Sequence, residues 1–128
     1  MDETIRAAVA ARAAARCEYR RIYEADDTYR FHVEHIIAVK HGGTSGLENL
    51  AYACQHCNLH KGPNLSGIDP ESGSVVQLYH PRHDSWPDHF SLAEFHVDGL
   101  TSTGRATVRV LAMNDPVRVT LRATLAGR

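Results

Sequence analysis

The N-terminal part of the chain is dominated by alanine and arginine, with few large apolar side chains between them. These residue types favour helix, and residues 3–16 are therefore predicted to be helical. Ile5 and Val9 provide only a thin apolar stripe, so we expect this helix to lie on the surface. Its arginines are expected to be solvated, with contact to phosphate as the alternative.

The middle of the chain contains the clearest succession of predicted elements, all within residues 31–62. Residues 31–39 are apolar and β-branched, which predicts a strand, and a loop with three glycines follows at residues 40–46. Residues 47–54 predict a second, short strand. Residues 55–61 predict a two-turn helix that ends at the glycine and proline that follow.

The C-terminal half has weaker patterns. Residues 63–74 are rich in glycine and proline and predict an ordered loop, and residues 75–79 predict a strand. Residues 117–125 fit both the alternation of a strand and the i, i+4, i+8 stripe of a helix. Asp115 and Pro116 are a typical N-cap and first-turn pair, so we predict a helix here.

These patterns together predict an α+β fold. A chain of 128 residues is near the commonest size for one hydrophobic core, so we expect a single domain over residues 1–128. Its core motif is expected at residues 31–62, followed by a C-terminal extension at residues 63–128 that is predicted to be helical.

Composition and charge narrow the function classes only in part. The charged fraction of 23% argues against a membrane protein, and no run approaches the ~20 apolar residues of a transmembrane helix. The first residues lack the pattern of a secretory signal, so a cytoplasmic location is expected. The formal net charge of -1 does not by itself indicate a nucleic-acid partner.

The histidines and cysteines point to metal or acid–base chemistry. Nine residues are histidines, and five of these lie between positions 31 and 60. The three cysteines are an odd number, which does not favour a disulfide framework. Cys54 and Cys57 form a CxxC pair that fits half of a zinc knuckle, with Cys17 as a third candidate ligand. A redox pair is the alternative.

Four residues within the 31–62 segment could cooperate in hydrolysis. Glu34 and Asn58 offer hard oxygen ligands that suit Mg²⁺ or Mn²⁺. His35 offers an imidazole, whose ordinary pKa of ~6.5 lets it take a proton from water near neutral pH. Asn49 can fix loop geometry through its amide donor and acceptor. These are the parts of a metal-assisted phosphodiester hydrolysis.

The same segment resembles the HNH endonuclease family. The resemblance lies in Phe31-His-Val-Glu-His-Ile-Ile-Ala-Val-Lys-His-Gly-Gly, in Glu48-Asn-Leu and in Cys54-x-x-Cys-Asn-x-x-Lys-Gly. It implies a ββα-metal finger, made of two short antiparallel strands and a helix, and an enzyme that hydrolyses DNA, expected to be duplex, with Mg²⁺ or another divalent cation such as Mn²⁺.

Family roles can be carried onto individual positions of this chain. The resemblance implies that His35 is the general base and that Glu34, a position more often Asp in relatives, is the metal ligand before it. Asn49 corresponds to the asparagine that braces the loop, and Asn58 to the second metal ligand. Lys61 is expected to contact a phosphate, and Lys40 is a further candidate for such a contact.

The clearest departure from the family concerns structural zinc. Relatives with this knuckle often carry two CxxC pairs, and the first pair here would start at Cys17 but has Arg20 in its second position. Cys17, Cys54 and Cys57 could still bind Zn²⁺ together with a histidine such as His56. The alternative is that the zinc site is lost.

Other function classes stay open at this point. A zinc-knuckle module that binds nucleic acid or protein without cutting it is the main alternative, and it would need no Mg²⁺. A nuclease that requires a targeting partner would explain the weak charge of the chain. A homodimer could cut both strands, whereas a monomer would nick. The sequence does not distinguish these cases.

Overall fold

A computed structural model describes residues 2–127 and confirms the α+β class. Within this range there are five α-helices and six short strands, which form three two-stranded antiparallel sheets. The described chain divides into two compact units. The first comprises the chain through Pro63 together with His80–His83, and the second comprises Asn64–Tyr79 and the chain from Asp84 onward. The prediction of one domain stays a prediction.

The first unit begins with helix α1 (Glu3–Arg12), which is capped by the side chain of Asp2. Its single buried residue is Val9, as expected for a surface helix with a thin apolar stripe. The helix is shorter than predicted, because Ala14 and Ala15 adopt positive φ angles of 54° and 57°. Left-handed residues cannot continue a right-handed helix.

Strands β1 (His32–His35) and β2 (Leu50–Ala53) pair antiparallel, with His35 opposite Leu50. Helix α2 (Gln55–Lys61) follows β2 directly, within the bounds predicted for it. The strands, the loop between them and the helix thus occur in the predicted order. Their assignment as a ββα-metal finger stays a prediction.

Both strands are shorter than predicted. The predicted strand at residues 31–39 ends at His35, and the backbone of Ile37 bonds to the side chain of Asn49 instead of to a strand. The segment before β2 forms a 3₁₀ turn at Leu47–Asn49. The buried residues of this unit pack around the two strands, and they include Val9, Cys17, Tyr19, Phe31, Leu50, Ala51, Cys54 and Cys57.

The second unit contains four strands as well as helices, so the prediction of a helical extension is incomplete. Strand β3 (Ser66–Ile68) pairs with β4 (Val75–Gln77), and β3 lies in the segment predicted to be a loop. Segments of three residues are too short to show the alternation of a strand. After helix α3 (Trp86–His89), strand β5 (Phe90–Ala93) pairs with β6 (His96–Gly99).

The last two helices agree with the predicted helical character. Helix α4 (Ser102–Val110) packs against β6. Helix α5 (Pro116–Ala126) is capped by the side chain of Asp115, as expected. Within residues 2–127, no helix combines the length and the apolar character that crossing a membrane would require.

Candidate metal centre

Three of the four residues predicted to carry the chemistry line one cavity of about 340 Å³. Glu34 and His35 reach it from the end of β1, and Asn58 reaches it from helix α2. The rest of the lining comes from Val33, Ala38, Val39, Gly62 and Pro63. The pairing of β1 with β2, followed by a turn into α2, brings these distant positions together.

Glu34 is a buried carboxylate with a partner on each oxygen. Its Oε1 accepts a hydrogen bond from the hydroxyl of Tyr19, and its Oε2 lies 3.8 Å from Nζ of Lys61. Burial raises the pKa of Glu34 to about 7, although Lys61 and the Tyr19 hydroxyl act in the opposite direction. A bound divalent cation would act in the same direction as Lys61 and Tyr19 and favour the ionised carboxylate.

Asn58 sits in the middle of α2 and is half-buried. Within residues 2–127, no hydrogen bond involves its side-chain amide. Its oxygen is therefore available to a ligand in the cavity. Carboxylate and amide oxygens are hard donors, and so the donor set of Glu34 and Asn58 fits Mg²⁺ or Mn²⁺.

His35 is half-buried and bonded to the glycine loop. Its Nε2 lies 2.9 Å from Oγ of Ser45. This contact fixes the orientation of the ring, because Nε2 is hydrogen-bonded to the loop. The other nitrogen, Nδ1, has no hydrogen-bond partner among the described residues, and it is the atom left to contact water.

Asn49 lies outside the lining of the cavity and acts on the loop instead. Its Oδ1 accepts from the N–H of Ile37 at 2.9 Å, and its Nδ2 donates to the carbonyls of Ile37 at 2.9 Å and Thr44 at 2.8 Å. Its own carbonyl accepts from the N–H of Ile36 at 2.8 Å. One side chain thus ties both ends of the loop together, next to Ser45.

Gly43 completes this arrangement by having no side chain. A Cβ atom at this position would lie 1.8 Å from the carbonyl oxygen of Ile37 and 2.8 Å from Nδ2 of Asn49. The neighbouring Gly42 has a φ of 92°, and a Cβ there would meet nothing within 4 Å. The two glycines therefore serve different purposes, one for close approach and one for backbone conformation.

The two lysines proposed for phosphate contact occupy very different positions. Lys40 is exposed in the 3₁₀ turn Val39–His41, where a phosphate could reach it. Lys61 is only 2% exposed, and its Nζ donates to the carbonyl of Ile36 at 2.8 Å. A buried, bonded ammonium does not fit the predicted phosphate contact, and Lys61 instead lies beside Glu34.

The three cysteines form a separate buried cluster. The sulfur atoms of Cys17, Cys54 and Cys57 all lie within 4.8 Å of one another. Three soft thiolates in this geometry fit Zn²⁺. Burial raises the pKa of Cys17 to about 12, whereas hydrogen bonds from Cys17 and Cys57, together with the nearby Arg20, hold the pKa of Cys54 well below its ordinary value.

Arg20 occupies the side of the cluster where the sequence lacks a fourth cysteine. Its Nε donates to Sγ of Cys54 at 2.9 Å, and its Nη2 bonds Asp27 at 2.6 Å. A guanidinium has no lone pair to offer a metal, so Arg20 is a charge partner of the thiolate and not a ligand. His56, the other candidate ligand, lies outside the cluster among the described residues, and its ring contacts that of His60.

The arginines of α1 contact backbone carbonyls. Arg6 donates to the carbonyl of Phe31 at 2.5 Å, and Arg12 donates to the carbonyls of Leu47 at 2.9 Å and Leu50 at 2.5 Å. Arg12 is exposed as expected, whereas Arg6 is half-buried, and both nevertheless make these bonds. They attach the helix to the segments that flank the strands.

Two residues of this site, Tyr19 and Ser45, were not predicted from the sequence. Tyr19 is 15 positions before Glu34, and no local pattern connects a residue in a polar turn to a strand that follows it. Ser45 lies in a loop rich in glycine, where serine is an ordinary turn residue. Only the folded loop shows that its hydroxyl reaches His35.

One known protein family matches the part of the chain that contains this site. The model of the HNH endonuclease family matches residues 16–64, which contain the cavity, the glycine loop and the cysteine cluster. No curated protein and no solved structure matches the chain.

Proposed function

We propose that this protein is an endonuclease that hydrolyses DNA phosphodiester bonds with a divalent cation, because residues 16–64 match the model of the HNH endonuclease family. In this proposal, His35 is the general base, and Glu34 and Asn58 hold the cation, Mg²⁺ or Mn²⁺. The observation that carries it is the convergence of these three residues on one cavity.

The contact between His35 and Ser45 is compatible with the tautomer that a general base needs. When Nε2 is protonated and donates to the Ser45 hydroxyl, Nδ1 carries the lone pair and can accept a proton from water. The ring must be neutral for this step, so activity should fall as the pH falls. Asn49 keeps the loop that carries Ser45 closed.

Glu34 and Asn58 contribute oxygen ligands from two different elements. Their positions on β1 and α2 are fixed by the strand pairing and by the cap of the helix at Cys54. A bound divalent cation would stabilise the negative charge that develops on the phosphate and the departing oxygen. Lys40, exposed near the cavity wall formed by Val39, is available for a phosphate of the DNA.

A second metal is proposed for the cysteine cluster. Cys17, Cys54 and Cys57 provide three thiolates for a structural Zn²⁺, which would connect the turn after α1 to the start of α2. The guanidinium of Arg20 would offset part of the negative charge of the thiolates. In this proposal the zinc takes no part in the proton transfer and stabilises the fold.

The proposal is tested by cleavage of supercoiled plasmid with Mg²⁺, with Mn²⁺ or with EDTA. We expect metal-dependent conversion to nicked or linear product, abolished in His35→Ala. The matched control is His41→Ala, which removes an exposed histidine from the same loop and should leave cleavage intact.

The outcome that would contradict the proposal is an absence of cleavage by the folded protein. If the folded protein cleaves no DNA with either ion but binds it in EDTA, the nuclease proposal fails. The non-catalytic binding module would then be the better interpretation.

A further inference from the structure

We propose that Tyr19 is a positioning residue for the metal-binding carboxylate, one that directs Glu34 into the cavity. This inference rests on the metal site of the proposed function. It concerns a residue that touches neither the cation nor the substrate and acts through Glu34.

The contact between Tyr19 and Glu34 is internal and directional. Tyr19 is completely buried, and its hydroxyl donates to Oε1 of Glu34. A hydroxyl that donates to one carboxylate oxygen leaves the lone pairs of the other oxygen for a cation. Oε2 is that other oxygen, and the side chain that carries it lines the cavity.

The backbone around Tyr19 is held firmly, so the hydroxyl has a defined position. Cys17 donates its N–H to the carbonyl of Ile22 at 2.8 Å, and Arg21 donates to the carbonyl of Cys17 at 2.9 Å. The N–H of Glu18 donates to the carbonyl of Tyr52 in β2 at 2.9 Å. The turn that presents Tyr19 is thereby attached to the strand that pairs with β1.

The proposed metal ligand is a glutamate, and the length of its side chain explains why a contact with Tyr19 is needed. A glutamate has one more rotatable side-chain bond than an aspartate, and more side-chain entropy is lost when it is held in a single orientation. The hydrogen bond from Tyr19 restricts this freedom before a cation binds. Lys61, 3.8 Å from Oε2, limits the carboxylate on its other side.

The chain offers a matched control for the loss of one phenol–carboxylate contact. The hydroxyl of Tyr52 donates to Oε1 of Glu24 at 2.6 Å, in the same unit but away from the cavity. Tyr52→Phe therefore removes the same kind of bond from a hydroxyl that is bonded to Glu24 and not to Glu34, and it leaves the backbone of β2 unchanged. A general effect of the loss on folding would appear in both variants.

The experiment measures Mn²⁺ binding by electron paramagnetic resonance, together with the Mg²⁺ concentration that gives half-maximal cleavage. In Tyr19→Phe we expect the Kd for Mn²⁺ and the Mg²⁺ midpoint to rise about tenfold, with little change in kcat at saturating Mg²⁺. Tyr52→Phe should leave both values at those of the unmodified protein.

A double-mutant cycle with Glu34→Asp separates positioning from a structural role. The shorter carboxylate cannot reach Tyr19, so adding Tyr19→Phe to Glu34→Asp should change the Kd for Mn²⁺ no further. An unchanged Kd in the folded Tyr19→Phe single variant would overturn the inference. So would an equal rise in Tyr52→Phe, or additive effects in the cycle.

The binding readout also distinguishes this inference from the proposed function. If the protein binds Mn²⁺ in a manner dependent on Tyr19 but cleaves no DNA, the inference holds and the nuclease proposal fails. If cleavage is metal-dependent and Tyr19→Phe binds Mn²⁺ normally, the nuclease proposal holds and the inference fails.

Discussion

Asn49 pairs with the backbone of Ile37 through both ends of its side-chain amide. The Oδ1 atom accepts from the N–H of Ile37, and Nδ2 donates to its carbonyl, each at 2.9 Å. The side chain thereby replaces the strand partner that Ile37 would have had if β1 had continued. The glycine loop is closed at this point, and Ser45 is held where it can reach His35.

Replacing Asn49 by aspartate should damage both folding and activity. Asn49→Asp keeps the acceptor for the N–H of Ile37, but it places a carboxylate oxygen against the carbonyls of Ile37 and Thr44. We expect a loss of about 2 kcal/mol in the free energy of unfolding, measured by urea denaturation, and a strong loss of cleavage.

The second unit contains a matched control for this variant. Asn114 makes the same pair of bonds with the backbone of Val97, accepting at 2.8 Å and donating at 2.9 Å. Asn114→Asp should destabilise the protein comparably but leave cleavage by the folded protein unchanged. Equal losses of cleavage in the two variants would contradict a specific role for Asn49 in the loop.

Gly43 and Gly42 should respond differently to alanine. In Gly43→Ala the new Cβ would collide with the carbonyl of Ile37, which cannot move without opening the Asn49 contacts. Gly42→Ala meets only the cost of a left-handed backbone, about 1 kcal/mol. We expect cleavage to be lost only in Gly43→Ala, as measured on plasmid after both proteins are shown to be folded. Retained cleavage in that variant would contradict the close-approach argument.

Local patterns predicted the parts of the site that depend on one element. The helix at residues 55–61 was predicted with its end at the glycine and proline that follow, and its bounds agree with the structure. The end of β1 at His35 was not predictable, because a side chain 14 positions later, that of Asn49, takes the place of a strand partner. The pattern around Ile36 and Ile37 is that of a strand.

Long-range contacts explain the remaining differences between the predicted and the observed positions of side chains. Lys61 appears at a helix end, where a lysine is ordinarily solvated, and its burial depends on the carbonyl of Ile36 and on Glu34, both of which precede it by 25 residues or more. Arg20 likewise finds its partner, Cys54, 34 positions along the chain. Such pairings are properties of the tertiary structure.

Ser45 should control the rate of the chemical step through His35. Removing the hydroxyl in Ser45→Ala frees Nε2, so the ring loses the contact that fixes its orientation. We expect kcat to fall about tenfold with little change in KM for DNA. Ser45→Thr keeps a hydroxyl and should retain most of the activity. An unchanged kcat in Ser45→Ala would remove this residue from the mechanism.

Introducing a fourth cysteine at position 20 should strengthen the proposed zinc site. Arg20→Cys adds a thiolate and removes a buried cation beside Cys54, and four thiolates complete the tetrahedral set that structural Zn²⁺ prefers. We expect the Kd for Zn²⁺, measured by competition with a chromophoric chelator, to fall by about tenfold or more. Tm should then become more sensitive to EDTA than in the unmodified protein. Equal Zn²⁺ affinity in both proteins would mean that Arg20 does not occupy the fourth ligand position.

The ion pair of Asp69 and Arg105 should make the second unit sensitive to acid. Arg105 donates to Oδ1 and Oδ2 of Asp69 at 2.8 and 2.9 Å, and these bonds hold the pKa of Asp69 below its ordinary value of 3.8. A depressed pKa in the folded state contributes stability above pH 3.8, and this contribution is lost as the pH falls through the lower folded value. In Asp69→Asn the urea midpoint, followed by the fluorescence of Trp86, should therefore be lower at neutral pH and converge with that of the unmodified protein in acid. Asp98→Asn, at an exposed position in the same unit, should show no such convergence, and a constant difference for Asp69→Asn across the pH range would contradict the assignment.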